Sequence, residues 1–142
     1  MSLCMPDAGG LEMLAKMIKT ALATDDNYIL KLYDSAITPT NSTTAGTFSG
    51  HTATFTNYSH QTLTRAGWSS IVQSGTTAQT SYGTTLTWTC GATGDTVYGY
   101  WVESATTGTC LWAELFGTAR TLANGDVLNL VPSIQLDSVV NP

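Results

Sequence analysis

The sequence is poor in charge: Lys, Arg, Asp and Glu make up 11% of its 142 residues, well under the ~25% of an ordinary soluble domain. Cations are the scarcest. Five Lys and Arg stand against ten Asp and Glu, for a net charge of −5, and they form no basic cluster of the kind that neutralises phosphates, so direct nucleic-acid binding is not expected. No window approaches the ~18 consecutive apolar residues of a membrane-spanning helix. The first residues lack a basic stretch followed by an apolar run and a cleavage site, so neither a leader nor a membrane location is expected. Three Cys, at 4, 90 and 110, make neither a Cys-x-x-Cys pair nor an even set. A disulfide framework and a zinc centre are both poorly supported, and no metal or cofactor is expected. Cys90 and Cys110 read as small buried strand residues, with a bridge between them as the alternative.

What is present is hydrophobic residue, at 42%, and neutral polarity from Thr, Ser and Gly. That is enough to bury one core, and the expectation is a single domain with an N-terminal helical segment over residues 1–26 and a β domain over 27–142. The helix is predicted over residues 7–23. Leu11, Leu14, Ile18 and Leu22 recur there at helical spacing, Asp7 can cap the start, and Lys16 and Lys19 suit the negative C-terminal end of the dipole. A helix that covers one end of its own core is the favoured reading, and the alternative makes this face a candidate docking surface for a partner.

From Tyr28 onward the period is two. Tyr28–Tyr33 is a predicted strand, a Ser/Thr/Pro/Asn loop surrounds Pro39 and Asn41, and residues 52–56 alternate Thr with Ala53 and Phe55 as a half-buried strand. In residues 85–90, Leu86, Trp88 and Cys90 face one way and three threonines the other. Residues 97–103 and 110–116 flank a turn and form a predicted central hairpin. Asn124-Gly125-Asp126 is the strongest hairpin-turn signal. About eight short strands with regular turns predict a mainly β fold, an antiparallel β-sandwich or jelly roll with one N-terminal α-helix.

Groups for catalysis are few and dispersed. His51 and His60 have no nucleophile motif beside them in sequence and read as structural. Glu103 and Glu114 lie on the two arms of the predicted hairpin as possible cross-strand neighbours, the one carboxylate pair worth weighing for glycoside chemistry. An edge or interface role, with Arg65 or Arg120 as partner, is favoured over catalysis, and no enzyme activity is expected. Asp25 with Asp26, and Asn124 with Asp126, lack the further oxygens of a calcium loop and read as a helix stop and a turn. Asn41 and Asn57 open glycosylation-type triplets without a leader to give them meaning. Trp68, Tyr58 and Trp112 would serve a lectin-like surface only if exposed; core packing is the expectation.

Tyr28-Ile29-Leu30-Lys31-Leu32-Tyr33, Ile37-Thr38-Pro39-Thr40, a predicted strand Leu63-Thr64-Arg65-Ala66-Gly67-Trp68, Val97-Tyr98-Gly99-Tyr100-Trp101-Val102, Leu111-Trp112-Ala113-Glu114 and Leu122-Ala123-Asn124-Gly125-Asp126 succeed one another along most of the chain. In this order they resemble small virion structural proteins of tailed bacteriophages. The resemblance implies a β-sandwich without catalytic residues, with capsid decoration or cement as the favoured role. The implied partner is the major capsid protein, the implied assembly a homotrimer, and the implied location the capsid exterior after assembly in the host cytoplasm. A tail, neck or baseplate structural protein and a carbohydrate-binding domain are the alternatives.

Overall fold

The computed structural model describes residues 2–10, 27–74 and 77–137. Described are ten strands, β1 (Ser2–Cys4), β2 (Tyr28–Tyr33), β3 (Gln61–Leu63), β4 (Val72–Ser74), β5 (Thr77–Ser81), β6 (Leu86–Thr89), β7 (Asp95–Ser104), β8 (Cys110–Leu122), β9 (Val127–Leu130) and β10 (Ser133–Asp137), with one short helix, α1 (Ala45–Ser49). The chain is mainly β, its sheets are antiparallel and its helices few.

The fold grows from β7 and β8, the longest run of aromatic and β-branched residues, whose turn is closed by Gly108 at φ +71° with its N–H on the Ser104 carbonyl at 2.9 Å. Only a residue without a side chain enters that left-handed conformation freely. β2 lies on the free side of β7, with Lys31 opposite Trp101 and Leu32 opposite Tyr100. β3 and β1 then close a five-stranded sheet in the order β1-β8-β7-β2-β3, so the predicted hairpin is central. Two smaller sheets, β10-β5-β4 and β6-β9, complete the described structure.

One face of the five-stranded sheet supplies Leu30, Leu32, Tyr100, Val102 and Trp112 to the main core, where they meet Leu86, Trp88 and Cys90 at β6 and Leu128 from β9. The β6 alternation holds as predicted: Leu86, Trp88 and Cys90 are buried while Thr85, Thr87 and Thr89 are exposed. The three cysteines are free thiols, Cys90 and Cys110 both buried, in two different core clusters.

Four expectations are corrected. Residues 52–56 keep the predicted burial, with Ala53 and Phe55 inside and Thr54 and Thr56 outside, but form no strand beyond a bridge from Thr52 to Tyr33. The Asp95 carboxylate takes the Thr54 N–H at 2.8 Å, a side chain doing the work of a ladder partner. Inside the expected loop, Phe48 drives α1 onto β7. Strand pairing in the predicted strand 63–68 stops at Leu63, where a 3-10 turn, Arg65–Gly67, takes over. The turn at Asn124-Gly125 forms, with Gly125 at φ +90° and the Asp126 N–H on Ala123 O at 3.0 Å, yet it closes no hairpin. Backbone bonds to Cys90, Gly125 N–H to its carbonyl and its N–H to the Asp126 carbonyl, both 2.8 Å, draw the chain to β6 instead, and β9 pairs there.

Residues 7–10 are helical, as the predicted helix requires. The rest of that helix, including the candidate docking face Leu11, Leu14, Ile18 and Leu22, lies outside the described residues.

Two buried tryptophans differ in one respect. Trp88 donates its indole N–H to Ser59 O at 2.7 Å, whereas Trp112 Nε1 has no partner within full hydrogen-bond geometry among the described residues and bears only weakly on the Tyr100 hydroxyl. Trp→Phe removes the same volume at both, but only at Trp88 does it orphan a carbonyl. W88F is therefore expected to destabilise more than W112F, by about 1–2 kcal/mol, in urea denaturation. Equal losses would contradict the bonding described.

Candidate functional site

The aromatic and charged residues of β7 divide between its two faces because successive strand residues point opposite ways. On the face away from the main core, Trp101 stacks on Phe48 of α1, centroids 5.2 Å apart and planes 17° apart, and Phe48 stacks on Tyr33 at 4.9 Å. Glu103, two residues on, accepts the Trp101 indole N–H on Oε2 at 3.1 Å and holds the Lys31 ammonium on Oε1. Lys31 also sits 5.7 Å from the Trp101 ring centroid, within cation–π reach. Trp101, Phe48 and Tyr33 form a second small core with Cys110 and Ala113.

Glu114 stands opposite Tyr100, on the other face, and accepts the Tyr100 hydroxyl on Oε2 at 2.7 Å. Its backbone carbonyl takes the Tyr33 hydroxyl at 2.9 Å. That contact depends on Gly99, where an added Cβ would lie 2.3 Å from the Tyr33 oxygen. The expectation that Glu103 and Glu114 are cross-strand neighbours is corrected: Glu103 pairs with Cys110, Glu114 with Tyr100, and the carboxylates face opposite sides of the sheet. They cannot flank one glycosidic bond. Nor is either of the suggested arginines the partner of Glu103; that partner is Lys31, whose role no local spacing announces.

His51 has a neighbour that the sequence does not place beside it. Ser35 Oγ lies 2.9 Å from His51 Nδ1, and Asp34 Oδ1 lies 3.8 Å from the same nitrogen. Ser, His and Asp thus gather, but both partners crowd one ring nitrogen. A nucleophile relay needs the hydroxyl and the carboxylate on different nitrogens. With half of its side chain exposed, His51 instead fastens the end of β2, where Asp34 N–H meets its carbonyl at 2.8 Å. His60 is exposed.

Asp25 and Asp26 lie outside the described residues, and Asp126 is used by its turn, its Oδ2 accepting the Ala123 N–H at 2.8 Å. Among the described residues no three His, Cys, Asp or Glu side chains gather as metal ligands. Every Trp, Tyr and Phe is described and none is exposed. Of the three candidate sugar-stacking residues, Trp112 is fully buried, Trp68 packs edge-on against Tyr82 and Trp112, and the Tyr58 hydroxyl accepts the Leu32 N–H at 2.9 Å.

A hollow lies between β8 and β9. Residues 119–122 and 126–129 line about 500 Å³ of it, and Phe116, Gly117, Thr118, Arg120 and Leu128 to Leu130 line a further 490 Å³ or so, with Arg120, Leu128 and Asn129 common to both. Through these shared residues the two parts form one trough. The β7–β8 ladder is interrupted beside it: Val97 pairs with Arg120 and Gly99 with Leu115, leaving Tyr98 opposite residues 116–119. Bulges of this kind concentrate at sheet margins and functional sites.

No protein-family model matches the chain, and no curated protein matches it.

Burial, then the Glu103 charge, pushes the Cys110 thiol from 9.0 up to about 12. Burial likewise pushes Tyr58 from 10.0 up to about 12, against the lowering effect of the Leu32 N–H. Both groups hold their protons more tightly when folded. Their contribution to stability is therefore complete below pH 9 and lost as pH rises toward about 12. Denaturation midpoints measured across that window should fall, and Cys110 should resist thiol reagents at pH 8 until the chain is unfolded.

Lys31→Met strands a Glu103 carboxylate that is 12% exposed. The expected loss is about 1–3 kcal/mol, below that of a fully buried pair because Lys31 retains 27% exposure. Adding Glu103→Gln should recover most of it; a double variant no better than the single would overturn the pairing.

Proposed function

We propose that this chain is a non-catalytic structural protein of a bacteriophage particle, most specifically a capsid cement protein that reinforces the head by bridging major capsid subunits as a homotrimer on its outer surface. In this reading the three antiparallel sheets are parts of a β-sandwich of jelly-roll type. One observation carries it. The carboxylates of the central hairpin are taken up as acceptors by the chain's own donors, Glu103 by Lys31 and Trp101, Glu114 by Tyr100 and Asp95 by Thr54, while the outside offers threonine-lined strands and, among the described residues, unpaired strand margins. Such a surface associates by backbone pairing and area burial rather than by charge attraction. The run of motifs from Tyr28 to Asp126 that resembles phage virion proteins supports the same reading.

A tail, neck or baseplate protein is the second reading. It draws on the margins themselves: among the described residues the outer strands of each sheet keep an unpaired margin, which suits head-to-tail contacts of the kind that form rings when their rotation closes.

Mass spectrometry of purified particles, with cryo-microscopy to place the chain, tests both readings. A shell cement is expected at hundreds of copies and a tail ring on the order of ten, following the symmetry of each site. Absence from purified particles would overturn the proposal, and confinement to the tail would select the second reading.

A further inference from the structure

The turn over residues 123–126 sets side by side the two groups of an intramolecular cyclisation. The asparagines of the chain are Asn27, Asn41, Asn57, Asn124, Asn129 and Asn141, and only Asn124 is followed by glycine. The amide of an asparagine is open to attack by the backbone nitrogen of the next residue. A side chain on that residue hinders the approach, and glycine has none. Asn124 and Gly125 are both exposed, and the place of a Cβ on Gly125 is open, with nothing within 4 Å. No hydrogen bond among the described residues holds the Asn124 side chain elsewhere. Asn57 and Asn129, by contrast, precede Tyr58 and Leu130, and Asn129 Oδ1 accepts the Thr87 hydroxyl at 2.9 Å.

One contact opposes the reaction. The attacking nitrogen must release its proton and turn toward the amide carbon, yet the Gly125 N–H is donated to the Cys90 carbonyl at 2.8 Å. The Cys90 N–H doubles this clamp by meeting the Asp126 carbonyl at 2.8 Å. Two further bonds brace the turn, the Asp126 N–H on Ala123 O at 3.0 Å and the Ala123 N–H on Asp126 Oδ2 at 2.8 Å. The clamp adjoins the β6–β9 ladder, which starts with Thr89 opposite Val127. It holds only while β9 is seated on β6.

We infer that Asn124 is a self-modification site, protected while the Cys90 clamp is closed and converted to isoaspartate and aspartate when β9 leaves β6. The bond from Gly125 N to Asn124 Cγ forms as the bond from Cγ to Nδ2 breaks. The Gly125 proton passes through solvent to Nδ2, which departs as ammonia. One water then opens the cyclic imide, at Cγ to give aspartate or at the Asn124 backbone carbonyl carbon to give isoaspartate, and nothing is oxidised or reduced. Isoaspartate routes the backbone through the former side chain and lengthens the turn by a methylene. The Gly125 N–H and the Asp126 carbonyl then no longer meet both polar groups of Cys90, so β9 loses its seat and Leu128 its place in the main core. The modification thus prevents the clamp from closing again. This inference stands apart from the virion reading.

Peptide mapping and isoaspartate methyltransferase labelling of the purified full chain test it, after incubation in mildly alkaline reducing buffer with and without guanidinium chloride. Conversion should concentrate at Asn124 and run at least about tenfold slower in the folded chain than in the unfolded one, since a local opening must come first. Leu128→Ala, which loosens β9, should raise the folded-state rate several-fold; sub-denaturing guanidinium on the wild type gives the same readout if L128A fails to fold. Asn124→Gln, whose amide would have to close a larger ring, should stay unmodified over the same period. The isoaspartate fraction, separated by chromatography, should unfold at lower denaturant than the unreacted chain. Absence of conversion at Asn124 in the unfolded chain overturns the site. Equal rates in folded and unfolded chains overturn the protection, and an isoaspartate fraction that unfolds together with the unreacted chain overturns the loss of β9.

Discussion

The structure depends on one strand being buried on both faces. β7 carries Tyr100 and Val102 into the main core and Trp101 and Glu103 to the opposite face, and all four residues are buried. A strand flanked by β2 and β8 has its backbone satisfied, but its second face needs its own cover. α1 supplies part of it through Phe48, and the Lys31–Glu103 pair supplies the rest. Burying that carboxylate is tolerable because two donors converge on it.

The same constraint accounts for the want of chemistry at the most acidic part of the hairpin. Glu103 and Glu114 are drawn to opposite faces by strand geometry, and each is taken up as an acceptor for a neighbouring aromatic donor, Trp101 or Tyr100. Desolvation and the bond to Glu114 raise the Tyr100 phenol far above its usual range, as burial does for Tyr33. These hydroxyls stay protonated and act as fixed donors. The polar groups of the interior form a scaffold that holds the sheet in register.

Much of this was legible in the sequence. β2 has the predicted bounds, the β6 alternation sorts Trp88 and Cys90 from the threonines, and the central hairpin is where its aromatics place it. These elements declare themselves because period and burial agree within a few residues. What stayed hidden depends on distant partners. Nothing local tells Asn124-Gly125 that its strand will be claimed by Cys90, nor Thr54 that a carboxylate on β7 will replace a ladder bond. The trough shows the same limit. Arg120 is an unremarkable strand cation in sequence, and only the path of the chain from β8 to β9 sets it beside a hollow. The Ser35–His51 contact is equally invisible along the chain, and its single-nitrogen geometry is what separates a loop fastening from a reactive group.

The grip of Cys90 on the 123–126 turn also orders events in time. Trp88 gains its cover from Leu128 only when the last quarter of the chain has emerged and β9 has been seated on β6. During synthesis the β7–β8 hairpin can close at once, since its partners are neighbours, whereas the indole of Trp88 must wait. Until residues 127–130 arrive, the indole of Trp88 lacks the cover of Leu128, and a chaperone suits that interval.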